Sequence, residues 1–217
     1  MRIVVATHNK GKLIELRQLL DVPGLEIVGV DQSGVTLPEI EETGDTYETN
    51  ALLKARGIAA HLGREDCLVL ADDSGIEVDA LGGAPGVYSA RYAGDAGPRA
   101  NTEKLLVDLR DVPDGSRAAR FRCVIVLVHP ARPDDAFVVS GRCEGSVARA
   151  PRGGGGFGYD PVFEVAPDEL ALLPGRTRED RLTMAELEEH EKNLLSHRGR
   201  AVREARARWP EIERLGR

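Results

Sequence analysis

Two adjacent carboxylates, Asp72 and Asp73, follow the apolar run Cys67–Ala71 and precede Ser74-Gly75. Carboxylates set against a buried strand are costly unless a cation or hydrogen-bond donors compensate them. Mg²⁺ suits such a place, because it is usually held by one or two carboxylates while waters and phosphate oxygens complete its octahedron. The same residues also suit an Asp-rich turn, with Ser74 and Gly75 supplying the turn geometry. The segment alone leaves both readings open. A second acidic run, Glu39-Ile40-Glu41-Glu42, offers either a further metal ligand or water-orienting base, or a solvated charged face.

Three other segments carry groups suited to a phosphorylated small molecule. Thr7-His8-Asn9-Lys10-Gly11-Lys12 lies between a strand-like and a helix-like stretch. Unpaired N–H groups at a helix start attract anions, Gly11 admits a close backbone approach, and Lys10 and Lys12 add full charges. The run is neither a Walker A nor a GxGxxG pattern, and on this segment alone a capped helix with solvated lysines is the favoured reading. Gly153-Gly154-Gly155-Gly156-Phe157-Gly158-Tyr159-Asp160 combines a glycine run with two aromatic faces on which a base could stack and with an acceptor, Asp160, for the N–H groups of a purine edge. Otherwise the segment is a flexible linker. Lys192, His197 and Arg198 place cations and donors near a helix start; Arg198 could fork onto a carbonyl or a phosphate, and His197 is either a donor to a base oxygen or a structural histidine. Nothing marks a nucleophile elbow.

These residues need elements to hold them. Arg2–Thr7 is β-branched and reads as a buried first strand. Leu13, Leu16, Leu19 and Leu20 then recur at helical spacing behind Asn9, a natural N-cap, until Pro23-Gly24. Leu25–Val30 reads as a second strand and 31–45 as a loop. Asp45-x-x-Glu48 has the capping-box pattern, and Ala51, Ala55, Ile58, Ala59 and Leu62 form one apolar stripe ending at Gly63. Asn50 and Lys54, four apart, share another face. Cys67–Ala71 reads as a strand ending at Asp72, with Ile76–Val78 a short strand beyond. Gly82-Gly83-Ala84-Pro85-Gly86 is turn-rich, and 99–109 is helical. Phe121–His129 and Ala136–Val147 read as an antiparallel hairpin. Residues 165–183 read as irregular, and Met184–Leu195 and Arg198–Trp209 as closing helices, the second stopped by Pro210. Helix alternating with strand early and a long hairpin later predict an α/β fold with a mixed sheet.

Composition bounds the partners. The chain has 217 residues, 41% of them hydrophobic and 30% charged, which is ordinary for a globular protein with a sizeable core. Its net charge of −7 opposes long nucleic acid, so any phosphorylated ligand must be small and met by local cations or a metal. No apolar run approaches the ~20 residues needed to span a bilayer, and the N-terminus lacks a secretory pattern, so a cytoplasmic location is expected. Three widely spaced cysteines, Cys67, Cys123 and Cys143, suit packed thiols rather than a disulfide framework or a zinc site.

Taken together, the segments resemble the inosine triphosphate pyrophosphatase family, also called Ham1-like. The resemblance rests on Thr7–Lys12, Glu42-Thr43-Gly44, Asn50–Ala55, Ala71–Gly75, Gly82–Arg91, Gly156–Asp160 and Ser196–Gly199, in that order along nearly the whole chain. It implies hydrolysis of dITP, ITP and XTP to the monophosphate and pyrophosphate with Mg²⁺, a homodimer, and a housecleaning role that keeps deaminated purines out of nucleic acid. The fold it implies is a single domain over 1–217, an elongated mixed β-sheet with helices forming two lobes around a nucleotide cleft. Residue by residue, Thr7, His8, Asn9, Lys10, Gly11, Lys12 and Lys54 would hold the triphosphate. Asp73 would be metal ligand or base, with Glu42, or next Glu41, as second ligand; Ser74 would touch substrate. Phe157, Gly158, Tyr159 and Asp160 would grip the base beside Lys192, His197 and Arg198. The stretch from Glu164 to Glu191 departs from compact members by an insertion around Leu170–Gly175. The rivals are a Maf-like nucleotide pyrophosphatase of other specificity and a nucleotide sensor without turnover.

Overall fold

The computed structural model describes residues 1–33, 40–62 and 66–217. Six strands make one mixed sheet in the order β2-β1-β3-β4-β5-β6: β1 is Arg2–Val5, β2 Glu26–Gly29, β3 Leu68–Val78, β4 Ala118–His129, β5 Arg132–Val147 and β6 Phe163–Val165. The helices are α1 (Lys10–Leu19), α2 (Tyr47–Leu62), α3 (Pro98–Asp108), α4 (Pro167–Leu170), α5 (Glu189–Leu195), α6 (His197–Ala207) and α7 (Trp209–Leu215). Both β2 and β3 run parallel to β1, with Val5 opposite Gly29 on one side and Leu70 on the other. Sheet neighbours β4 and β5 are joined by two residues, a link that only an antiparallel pair can use. The expected α/β class with a mixed sheet is what forms.

The chain divides into two compact units. The first comprises Met1–Asp73, Cys123–Ser140 and Ala201–Arg217; its core gathers Ile3, Val5, Leu16, Leu68, Leu70, Ile125, Leu127, Val202 and Ile212. The second comprises Ser74–Arg122 and Gly141–Arg200, and its core includes Ile76, Leu105, Phe121, Tyr159, Phe163, Leu170 and Leu195. Among the described residues no helix is long and apolar enough to cross a membrane.

Several expected boundaries move. Asp72–Gly75 is not a turn at a strand end: β3 runs unbroken through it. What ends there is β1, whose pairing with β3 stops at Val5–Leu70, so Asp72 lies just past the C-terminal end of the shorter strand. The N-cap of α2 is Thr46 rather than Asp45: its Oγ1 accepts from Thr49 N at 3.1 Å, and its carbonyl takes the first helical bond from Asn50. The expected stop at Gly63 and the acidic Glu39 lie outside the described residues. The stripe Ala51, Ala55, Ile58, Ala59 and Leu62 is buried as its spacing predicts. Within the stretch read as irregular, α4 forms and Glu164 of β6 bridges Thr183. Helix does not begin at Met184: Glu188 is extended and caps α5. Pro210 does not end a helix but sits in the first turn of α7, where its missing N–H costs nothing.

Candidate active site

In the first unit, the end of β1 turns directly into α1. Thr7 Oγ1 accepts from Asn9 N at 3.1 Å, and Asn9 Oδ1 caps the helix by accepting from Lys12 N at 3.2 Å. Lys10 is exposed and Gly11 half-buried, so the opening turn of α1 is accessible. His8 points to Asp31, Nδ1 to Oδ1 at 3.0 Å. Because β1 stops while β3 continues, Lys12 reaches Asp72, with Nζ 3.0 Å from Oδ2 of a carboxylate that is 1% exposed. The pleat sends Asp73 to the other face, where Asn50 of α2 donates to its Oδ2 at 3.3 Å. Asn50, fully buried, also accepts from Gly44 N at 2.7 Å, which ties the segment after Glu42 to Asp73. Lys54, one turn further along α2, meets Glu42 Oε1 at 3.1 Å and the Asp72 carbonyl at 3.2 Å. Glu41 is exposed, so of the two neighbours Glu42 is the one that faces this cluster.

Charge and burial set Asp73 apart. Burial pushes its carboxyl up from 3.8 to about 6; Lys54 opposes, Glu42 adds to the rise, and Lys12 and the Asn50 hydrogen bond oppose it again. A carboxylate held near neutrality by burial and a like charge is suited to taking a proton or a cation. Among the described residues no group of three or more His, Cys, Asp or Glu side chains assembles. The pair Asp73 and Glu42, both hard oxygen donors, matches the one or two carboxylates that Mg²⁺ uses when phosphate and water supply the remainder.

The second unit holds the other set. Gly158 is left-handed at φ 63°, a conformation glycine adopts freely, and its carbonyl accepts from Thr102 Oγ1 of α3 at 3.2 Å. Asp160 is buried and turned inward, accepting from Phe157 N and from Lys192 Nζ, both at 2.8 Å. These bonds tie Asp160 to the loop and to α5 beside Lys192. Tyr159 is buried, its hydroxyl donating to Ser89 O at 2.8 Å, and burial raises its pKa. Phe157 is the exposed aromatic, with Lys192 Nζ 4.9 Å and Arg198 Cζ 5.8 Å from its ring centroid. Ser196 Oγ accepts from Gly199 N at 3.0 Å and so places His197 and Arg198 on the first turn of α6. His197 stacks on Phe121 at 4.8 Å. Arg198, 1% exposed, donates Nη2 to Ser74 Oγ at 3.0 Å. Ser89, whose one mark in the sequence is its place in the Gly82–Arg91 block, accepts from Ile76 N at 3.0 Å and anchors Tyr159.

A family model described as the Ham1 family matches residues 3–208. The chain belongs to the Ham1 family. Among curated Ham1-type relatives, the dITP/XTP pyrophosphatase of Thioalkalivibrio sulfidiphilus is 48% identical over 204 residues, 94% of this chain and 95% of that one. The dITP/XTP pyrophosphatase of Shigella flexneri is 48% identical over 203 residues, 93% of this chain and 94% of that protein. The solved structure of a HAM1 protein from Coxiella burnetii superposes with a TM-score of 0.79 at 39% identity, covering 97% of this chain and 99% of that one.

Proposed function

We propose that this Ham1-family chain hydrolyses dITP, ITP and XTP to the nucleoside monophosphate and pyrophosphate. The observation that carries the reading is the Asp73 carboxyl, 5% exposed and hydrogen-bonded by Asn50 at 3.3 Å, with Lys54 and Glu42 acting on its charge; the names of relatives at 48% identity agree with it. The open turn of α1 with Lys10 and Lys12, together with Lys54, takes the triphosphate oxygens, which displace the carboxylate partners that Lys12 and Lys54 hold without substrate. Asp73, as metal ligand or as the base that takes its proton, orients the water that attacks the α-phosphorus, and pyrophosphate departs with the bridging oxygen. Asp73 and Glu42 would hold Mg²⁺, which supplies neutralisation of charge on the pyrophosphate group. Most of the acceleration is positioning and electrostatics, as phosphoryl transfer requires.

The base goes to the second unit's set. Phe157 supplies a face, and Lys192, His197 and Arg198 supply donors for a 6-oxo group; an adenine presents an amino donor there and leaves them unpaired. Unpaired polar groups are what give strong discrimination. The same reading takes a homodimer in the cytoplasm as the working form and no nucleic acid polymer as partner; the net charge of −7 supports the last point.

Pyrophosphate release from dITP, ITP, XTP, ATP, dTTP and UTP, each with and without Mg²⁺, tests the whole. The 6-oxo purines are cleaved in preference, and Asp73→Asn falls by at least about 100-fold. Equal cleavage of ATP and ITP sinks the selectivity; a fast Asp73→Asn enzyme sinks the mechanism; no pyrophosphate above background leaves a sensor.

A further inference from the structure

Four consecutive glycines, Gly153–Gly156, precede Phe157. Such a run has many backbone states to lose on ordering, so something must hold it if Phe157 is to keep its place beside Lys192. The clip is visible in the second unit. Arg152, just before the run, donates Nε to Glu186 Oε2 at 3.2 Å and Nη2 to Glu164 Oε2 at 3.0 Å and to the Arg181 carbonyl at 3.1 Å. Its own carbonyl accepts from Thr183 Oγ1 at 3.0 Å. The backbone of Ala185 then lies across the loop: its carbonyl accepts from Gly155 N at 3.1 Å and its N–H donates to Asp160 O at 3.3 Å. A Cβ on Gly153 would come within 2.5 Å of that carbonyl, so the approach is too close for a side chain. The segment held by Arg152 continues through Glu188 into α5, whose Lys192 returns to Asp160 at 2.8 Å.

We propose that Arg152 is a positioning residue for the base: it clips the glycine loop to the 181–188 segment and so sets the Phe157 ring against the Lys192 ammonium before substrate arrives. The inference rests on the activity proposed above and adds to it a residue outside the base-binding set. Arg152 acts through others; its guanidinium is committed to two carboxylates and a carbonyl. Without the clip, ordering of the loop falls on the binding step, which weakens binding without touching the chemistry at Asp73.

The experiment measures kcat and KM of wild type and Arg152→Gln for dITP with excess Mg²⁺, alongside the inhibition constant of inorganic tripolyphosphate, which has no base. KM for dITP rises about tenfold, the worth of one charge-assisted hydrogen bond. The value of kcat stays within about twofold and tripolyphosphate inhibits both proteins equally. Should Arg152→Gln fail to fold, Glu186→Gln removes the facing carboxylate and is read in the same way. An unchanged KM overturns the proposal, as does a parallel weakening of tripolyphosphate, which would mark general damage. A wild type that releases no pyrophosphate from dITP brings down the activity and this role together, whereas an active wild type with an indifferent Arg152→Gln brings down the role alone.

Discussion

Asp73 is held in surroundings that work against its own charge, and the folded protein is less stable for it. Its carboxyl rises from 3.8 to about 6, first through burial and then through Glu42, while Lys54, Lys12 and Asn50 oppose the rise. Between those two values the folded state binds more protons than the unfolded one, so stability falls as pH rises through the window. Below about pH 4 the cost is absent, and above about pH 6 it is complete, at most about 3 kcal/mol. Metal-free Asp73→Asn therefore unfolds at higher denaturant than wild type at pH 7.5, and the difference closes near pH 4. Urea melts in a chelating buffer at both values check this; a gain that does not depend on pH contradicts it. The neighbouring Asp72 is a different residue in every respect. It faces the other side of β3, meets Lys12, and through its carbonyl also receives Lys54. Type and adjacency made the pair conspicuous in the sequence, but only alternation along an unbroken strand separates their duties.

At the scale of the element, β3 decides how that alternation is kept. Gly75 lies inside the strand, where a Cβ would come within 2.4 Å of both the Gly86 carbonyl and Ser89 Oγ. Gly75→Ala must push back the Gly86–Arg91 turn, which carries Ser89 and through it Tyr159. It is expected to destabilise by about 2–3 kcal/mol, as overpacking does, with a larger KM for dITP; an unchanged melting temperature would contradict the close packing. Elements with plain periodicity were legible in the sequence. The α2 stripe, the Asn9 cap and the β4–β5 hairpin declare themselves by spacing and by turn residues. The polar stretch Asp72–Gly75 did not read as strand, because Lys12, Asn50 and Arg198, which satisfy it, come from distant parts of the chain. The capping of α2 by Thr46 rather than Asp45, and the start of α7 at Trp209-Pro210, turn on one-residue choices that local pattern leaves degenerate. Of the residues proposed to meet the nucleotide, Lys54 and Phe157 could be chosen by type, whereas the inward turn of Asp160 and the burial of Tyr159 depend on Lys192 and Ser89, partners no spacing reveals.

For the whole molecule, the chain path ties the two units together covalently four times, after Asp73, Arg122, Ser140 and Arg200. Three of those junctions fall inside β3, β4 and β5, and the fourth inside α6. None is a linker, and cutting any of them interrupts a strand or a helix. The first unit's core also draws on discontinuous segments: Ile3 and Leu68 from one, Ile125 and Phe137 from the next, Val202 and Ile212 from the last. A fragment ending at Asp73 would expose Leu68 and Leu70 with no Ile125 or Val202 to cover them. Each fully exposed Leu forfeits roughly 1.5–3 kcal/mol, more than a short α/β fragment can spare. Residues 1–73 expressed alone are accordingly expected to give no cooperative melt. The full chain should unfold in one transition whose calorimetric and van't Hoff enthalpies agree. Scanning calorimetry of the metal-free protein decides the matter: two resolved transitions, or a folded 1–73 fragment, would mean that each unit keeps its core by itself. In that case the continuity of β3 across Asp73-Ser74 would serve the site rather than the fold.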